Sequence, residues 1–224
     1  MSPSFAQRSS GLTPADVDAT RTAYDDIAEL YTGLFRGHLA TQPFDRAVLG
    51  AFAERLRANG SGPVADIGCG PGRITGHLAS LDVPVFGMDL SPRMIELARN
   101  EFPGLRFEVG SMEELTIEDG ALAGLVAWYS IIHLPPERVP HVLNEFYRVL
   151  RPGGHALLAF QAADAADTVV AFDHKVTRAY RWSPDRLVGL VRRAGFTEIA
   201  RMVRAPDPDE RFDQAYLMVA KPVR

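Results

Sequence analysis

The sequence has one cysteine, Cys69, in 224 residues, so no internal disulfide can form and no thiolate cluster can hold a structural zinc. It has no apolar run near the roughly 20 residues that cross a bilayer. The opening stretch MSPSFAQRSS also lacks the apolar core of a secretory signal. These absences predict a soluble, cytoplasmic protein with no membrane attachment and no bound metal. Positive charge is not in excess either: 24 Lys and Arg stand against 28 Asp and Glu, a net charge of -4. That balance lacks the footprint of a protein that grips phosphate backbones and disfavours a nucleic-acid partner. The arginines of the C-terminal third, among them Arg186, Arg192 and Arg193, interleave with acids and read as a solvated helix face. Internal repeats and low-complexity segments are missing too. What remains is 46% hydrophobic and 23% charged, ordinary usage for one main globular domain.

Punctuation along the chain is clear. Thr13 followed by Pro14 opens a helix on which Tyr24, Ile27, Ala28 and Tyr31 share a face. A second helix from about Phe44 to Leu56 ends in Asn59-Gly60-Ser61-Gly62. Residues 1–62 therefore form a helical extension, and 63–224 the main domain. Strands are expected at Val64–Ile67, Val83–Met88, Leu105–Val109 and Leu125–Trp128. Helices start at Arg73 and, behind the Ser91-Pro92 cap, at Pro92. The stripe Val139, Val142, Leu143, Phe146, Val149 and Leu150 predicts a helix stopped by Pro152-Gly153-Gly154, with a strand at His155–Phe160 beyond it. Such alternation requires a parallel sheet, because parallel neighbours are joined by crossovers. After a Ser183-capped helix, Pro184–Ala194, the strands Thr197–Val203 and Ala215–Ala220 are separated by too few residues for a crossover and should pair antiparallel. The expected fold is α/β: a Rossmann-like, seven-stranded, mostly parallel sheet with helices on both faces and a C-terminal antiparallel strand pair.

The chemistry concentrates in Val64-Ala65-Asp66-Ile67-Gly68-Cys69-Gly70-Pro71-Gly72, where a strand delivers an Asp and then glycines at alternate positions. Glycines there let a ligand approach the backbone at the switch point of the sheet. A dinucleotide fold spaces its glycines as GxGxxG to place an anionic pyrophosphate at a helix N-terminus. Asp66 would repel that anion and suits a ligand with cationic groups, such as the ammonium and sulfonium of S-adenosylmethionine. Asp89, ending the second strand, can accept hydrogen bonds from both ribose hydroxyls.

These segments resemble the class I, Rossmann-like S-adenosylmethionine-dependent methyltransferases of small-molecule type. VADIGCGPG is similar to their first motif, FGMDLSPRMIELAR to the ribose segment, FEVGSMEEL to the adenine segment, and LVAWYSIIHL with RVLRPGGHALLAF to the later ones. The resemblance implies that Asp66, Gly68, Cys69 and Gly70 run along the methionine moiety, that Asp89 holds the ribose, and that Leu90 and Met94 cover the adenine. Gly110, Ser111 and Met112 would line the adenine edge. Many relatives carry Asp at the place of Ser111, so a backbone contact is expected there. Ala127, Tyr129 and Ser130 would pass beneath the departing methyl group. YDDIAELY resembles the lid helix of the family's small-molecule members, which implies that Tyr24 and Tyr31 reach the cofactor carboxylate and that 1–62 act as a lid.

Methyl transfer needs positioning of the acceptor and, for some acceptors, removal of a proton. His133, just past the fourth strand, is the candidate general base, with an imidazole titrating near 6.5 if unperturbed. His174 is the alternative. The segment Gln161–Trp182 leaves the C-terminal edge of the sheet, reads as a loop, and should recognise a small-molecule acceptor through Asp164, Asp167, Phe172, Asp173, Arg178, Tyr180 and Trp182. Transfer to an oxygen or nitrogen of such an acceptor is the leading reading. A protein or RNA methyltransferase, a non-catalytic cofactor-binding regulator and, most weakly, a nicotinamide dehydrogenase are the alternatives. Monomer and homodimer both stay open.

Overall fold

The computed structural model describes residues 14–35, 37–174 and 176–223; of residues 14–20, 31, 34 and 35 it describes the backbone. The expected Thr13 cap lies outside these residues. The chain runs α1 (Pro14–Phe35), a 3-10 turn (His38–Thr41), α2 (Pro43–Ala58), β1 (Val64–Ile67), α3 (Arg73–Ser80), β2 (Val85–Asp89), α4 (Pro92–Glu101) and β3 (Phe107–Val109). It continues through β4 (Leu122–Trp128), a 3-10 turn (Ile131–His133), α5 (Val139–Val149), β5 (Leu150–Gln161), β6 (Val169–Asp173), β7 (Arg178–Trp182), α6 (Pro184–Arg193), β8 (Thr197–Arg204) and β9 (Gln214–Ala220). Among the described residues no helix is long and apolar enough to cross a membrane.

Seven strands form one sheet in the order β3-β2-β1-β4-β5-β9-β8. β1 to β5 are parallel, and β9 runs against both β5 and β8, so the C-terminal pair is antiparallel as the short connection requires. Side chains alternate across the sheet. Leu125 and Ala127, Ala156 and Leu158, and Leu217 and Val219 join a core with α5 and α6. Val126 and Trp128, Leu157, and Tyr216 and Met218 join a second core with α2 and α3. Helices thus cover both faces. Leu49, Phe52, Ala53 and Leu56 of α2 belong to that second core, so α2 is one of the sheet's covering helices.

Two sequence expectations are corrected. Pro152-Gly153-Gly154 does not separate α5 from a strand, because β5 begins at Leu150 and runs through it. Leu150 pairs with Leu122, three residues before the expected start of β4, and the register then shifts. Gly153, at φ 76°, absorbs the shift as a bulge and donates its N–H to Lys221 O at 2.8 Å. The stretch after β5 is not a loop either. β6 and β7 pair antiparallel as a separate two-stranded sheet, from Val169 opposite Trp182 to Asp173 opposite Arg178. Trp182, 1% exposed, plugs the main core and anchors the hairpin.

Candidate active site

The strand order reverses between β1 and β4, and the crevice opens over their C-terminal ends. The loop after β1 is pinned from below, since the N–H groups of Gly68 and Cys69 both donate to Met88 O at 2.7 and 3.0 Å. Gly68 has φ 74°, and a Cβ on it would stand 2.3 Å from Ser130 Cβ. Ser130 Oγ in turn donates to Ile67 O at 2.7 Å, closing the ends of β1 and β4 on each other. Gly70, at φ 53°, faces open space: a Cβ there would meet nothing within 4 Å, which is the room a ligand needs to reach its backbone.

Asp89 ends β2 and is fixed twice. One carboxylate oxygen accepts from Gly70 N at 2.8 Å and the other from Ser91 N at 2.9 Å. Burial pushes its carboxyl up from the usual range, and the two backbone donors pull it back. Ser91 caps α4 by accepting from Met94 N at 3.0 Å, while its hydroxyl donates to Asp25 of α1 at 2.5 Å. Glu29 of α1 pairs with Arg93 of α4. α1 is thereby docked on the start of α4 and across the crevice.

The cavity so formed holds about 490 Å³. Of the residues singled out from sequence, Tyr24, Gly68, Gly70, Asp89, Leu90, Met94, Gly110, Ser111, Met112, Tyr129, Ser130 and His133 line it. Ala127 does not, because it points into the core beneath α5. Cys69 packs against Ile95, Ala98 and Phe107, and burial pushes its thiol up. Asp66 lies on the α3 side of the loop, fully buried, accepting from Thr75 Oγ1 at 2.7 Å. Burial raises its carboxyl to about 7. It borders a smaller cavity of about 150 Å³ with Arg73 and Trp128, sharing only the glycine loop and Trp128 with the larger one. The Tyr31 side chain is outside the described residues.

His133 sits where the fourth strand should deliver it, with Nε2 2.6 Å from the Tyr24 hydroxyl. The His174 ring packs edge-on against it at 5.0 Å. Burial, with His174 as a lesser cause, drives its imidazole down to about 3. The titration near 6.5 expected from the sequence is therefore displaced far to acid. Of the acceptor residues expected from the sequence, Arg178 and Tyr180 line the cavity, whereas Asp164, Asp167, Phe172, Asp173 and Trp182 do not. Sequence reading missed Arg21, Glu113, Arg138 and Thr177, which also line it. Glu113 and Arg138 form a nearly buried ion pair between the segments after β3 and β4; no periodicity links positions so far apart. Tyr129, at φ 53°, is a strained non-glycine at the strand end, and burial pushes its hydroxyl well up.

Comparison with known proteins places this geometry. Residues 64–154 match the family described as "Methyltransferase domain". A demethylmenaquinone methyltransferase of Chlorobaculum parvum is 28% identical over 62% of this chain and 58% of its own length. An O-methyltransferase of Penicillium expansum is 27% identical over 84% of this chain and 74% of its own length. The chain spans 57% to 58% of the length of several curated relatives that it matches. The 1,6-didemethyltoxoflavin-N1-methyltransferase of Burkholderia thailandensis, crystallised with 1,6-didemethyltoxoflavin and S-adenosylhomocysteine, superposes with a TM-score of 0.75 at 20% identity, covering 96% of this chain and 93% of that one. Over 64–154 the chain is similar to methyltransferase domains, and its fold is the Rossmann-like fold of that class I methyltransferase.

Proposed function

We propose that this protein binds S-adenosylmethionine in the larger cavity and transfers its methyl group to an oxygen or nitrogen of a small molecule, with α1 as the lid. The observation that carries the reading is Asp89: a carboxylate held by Gly70 N and Ser91 N at the switch point, beside a glycine whose missing side chain leaves open space. The residues present fit the cofactor. Asp89 would accept from the ribose hydroxyls, and Leu90, Met94 and Met112 would offer apolar surface to the adenine. On the other side of the loop, Asp66 Oδ1 and Trp128 Nε1 are buried without a hydrogen-bond partner, polar atoms suited to the charged methionine end. When bound, the cofactor supplies a methyl carbon activated by its sulfonium. The chain's own part is to hold the acceptor in line and exclude water. Tyr24 closes over the site by its hydrogen bond to His133, which serves as an uncharged acceptor.

Calorimetry tests the reading. S-adenosylmethionine and S-adenosylhomocysteine should bind while NAD does not compete. Asp89→Ala should weaken both at least about tenfold, since it deletes charge-assisted acceptors. Tighter binding of NAD would end the reading, and unchanged affinity in Asp89→Ala would confine Asp89 to holding the loop.

A further inference from the structure

Inside the cavity, the groups able to take a proton are engaged or buried. His133 Nε2 is held by the Tyr24 hydroxyl at 2.6 Å, and Nδ1 is buried without a hydrogen-bond partner. The other neighbour of the ring is His174, which does not line the cavity. Glu113 is locked to Arg138, at 10% and 7% exposure. Both oxygens of Asp89 accept from backbone N–H groups. Glu137 stands exposed at the rim, as does Arg21 of α1 opposite.

Hydrogen-bond donors, by contrast, are unspent. Arg178 and Tyr180 lie two residues apart on β7, share the face that lines the cavity, and follow Thr177. Among the described residues Arg178 makes no ion pair, and neither the Thr177 nor the Tyr180 hydroxyl has a protein partner. A cavity with free donors on one wall, whose inner bases are engaged or buried and whose free carboxylate, Glu137, stands out at the rim, suits an acceptor that arrives already ionised.

We propose that the acceptor is a small delocalised oxyanion, a carboxylate or an enolised 1,3-dicarbonyl, one oxygen of which is held by Arg178 and Tyr180 while the other attacks the methyl group. This rests on the methyltransferase reading above. The attacking oxygen forms its bond to the methyl carbon as the carbon–sulfur bond breaks, and that bond's electron pair stays on sulfur. Anion and sulfonium become a neutral ester or enol ether and a neutral thioether, so no proton needs a destination. Withdrawal of the two charges from bulk water favours that mutual neutralisation, and the engaged state of His133 ceases to be an obstacle.

The test is binding first. The complex of the protein with S-adenosylhomocysteine is titrated calorimetrically with benzoate and with dimedone, which separate the two sources of such an anion, and with benzyl alcohol and benzylamine as neutral-oxygen and amine counterparts. At least one acid should bind, the counterparts should not, and Arg178→Gln should weaken the acid at least about tenfold. Arg178→Lys should restore part of that loss, with S-adenosylhomocysteine affinity unchanged in both variants. With S-adenosylmethionine, mass spectrometry should find the methyl ester or enol ether, its rate rising with pH through the acid's own titration and moving when the acid is exchanged. Binding or transfer confined to benzyl alcohol or benzylamine, acids bound equally by Arg178→Gln, or neither acid bound, would each overturn the proposal. Failure of S-adenosylhomocysteine itself to bind would instead sink the methyltransferase reading.

Discussion

In an unfolded chain the Asp66 carboxyl loses its proton near its ordinary 3.8, whereas burial in the fold holds it up at about 7. Between those values the unfolded state binds fewer protons, so the contribution of Asp66 to stability declines as pH rises from about 4 to about 7 and is flat above. Asp66→Asn removes that slope while keeping an acceptor for Thr75. The melting temperature of the variant minus that of the wild type should therefore become more positive as pH rises across this window, and a constant difference would show that Asp66 is not held protonated. His133 has the opposite sign: its folded value of about 3 lies below the unfolded 6.5, so its contribution is lost as pH falls from about 6.5 toward 3. The same depression predicts that, under the proposed function, turnover shows no limb belonging to His133 between pH 6 and 8. His133→Asn should cost less than the roughly 10²- to 10⁴-fold expected for loss of a general base. A loss in that range, together with a limb near 6.5 that vanishes in the variant, would restore the proton-taking role.

Among the described side chains of α1, Tyr24, Asp25 and Glu29 bond to the rest of the fold, and Glu29–Arg93 is a surface pair of small worth. Its docking should be shallow without ligand. Hydrogen exchange of residues 21–35 should slow when S-adenosylmethionine binds and should quicken in Asp25→Ala; equal rates with and without ligand would make α1 a fixed wall. At this scale the sequence was most and least informative. Elements with a loud local signal were legible: β1 before its glycines, α4 behind Ser91-Pro92, α6 behind Ser183. β5 was misread at its start, because Pro152-Gly153-Gly154 has the chemistry of a stop while a bulge paired with β9's extension lets the strand continue. The β6–β7 hairpin was hidden because its buried positions do not alternate: β6 is largely exposed, and on β7 Ala179 and Trp182 are buried on opposite faces. Twelve cavity residues were readable from motif positions, whereas Glu113–Arg138 depends on two loops meeting in space.

Across the whole molecule, a buried polar chain joins the layers: Tyr216 of β9 donates to Asp45 of α2 at 2.5 Å, and Arg204 of β8 reaches Tyr216 and Glu210. Burial pushes the Asp45 carboxyl up, which the Tyr216 hydroxyl opposes. Tyr216→Phe strands Asp45 without its donor and should cost about 1–3 kcal/mol, or roughly 2–4 °C of melting temperature per kcal/mol at this size. Calorimetric melting checks it, and an unshifted transition would show that water replaces the hydroxyl. The hairpin is hydrogen-bonded outside this framework, though Ala179 and Trp182 root it in the main core. It is a sheet of its own, tied to the larger one by the bridge between Ala162 and Trp182 and by the Ala163 N–H to Trp182 O bond at 3.0 Å. Yet it supplies Thr177, Arg178 and Tyr180 to the cavity, while the glycine loop and Asp89 belong to the seven-stranded sheet. Exposed positions between 164 and 181 can therefore change without disturbing the register of the larger sheet, so under the proposed function descendants of this chain could change clientele while inheriting the same tool.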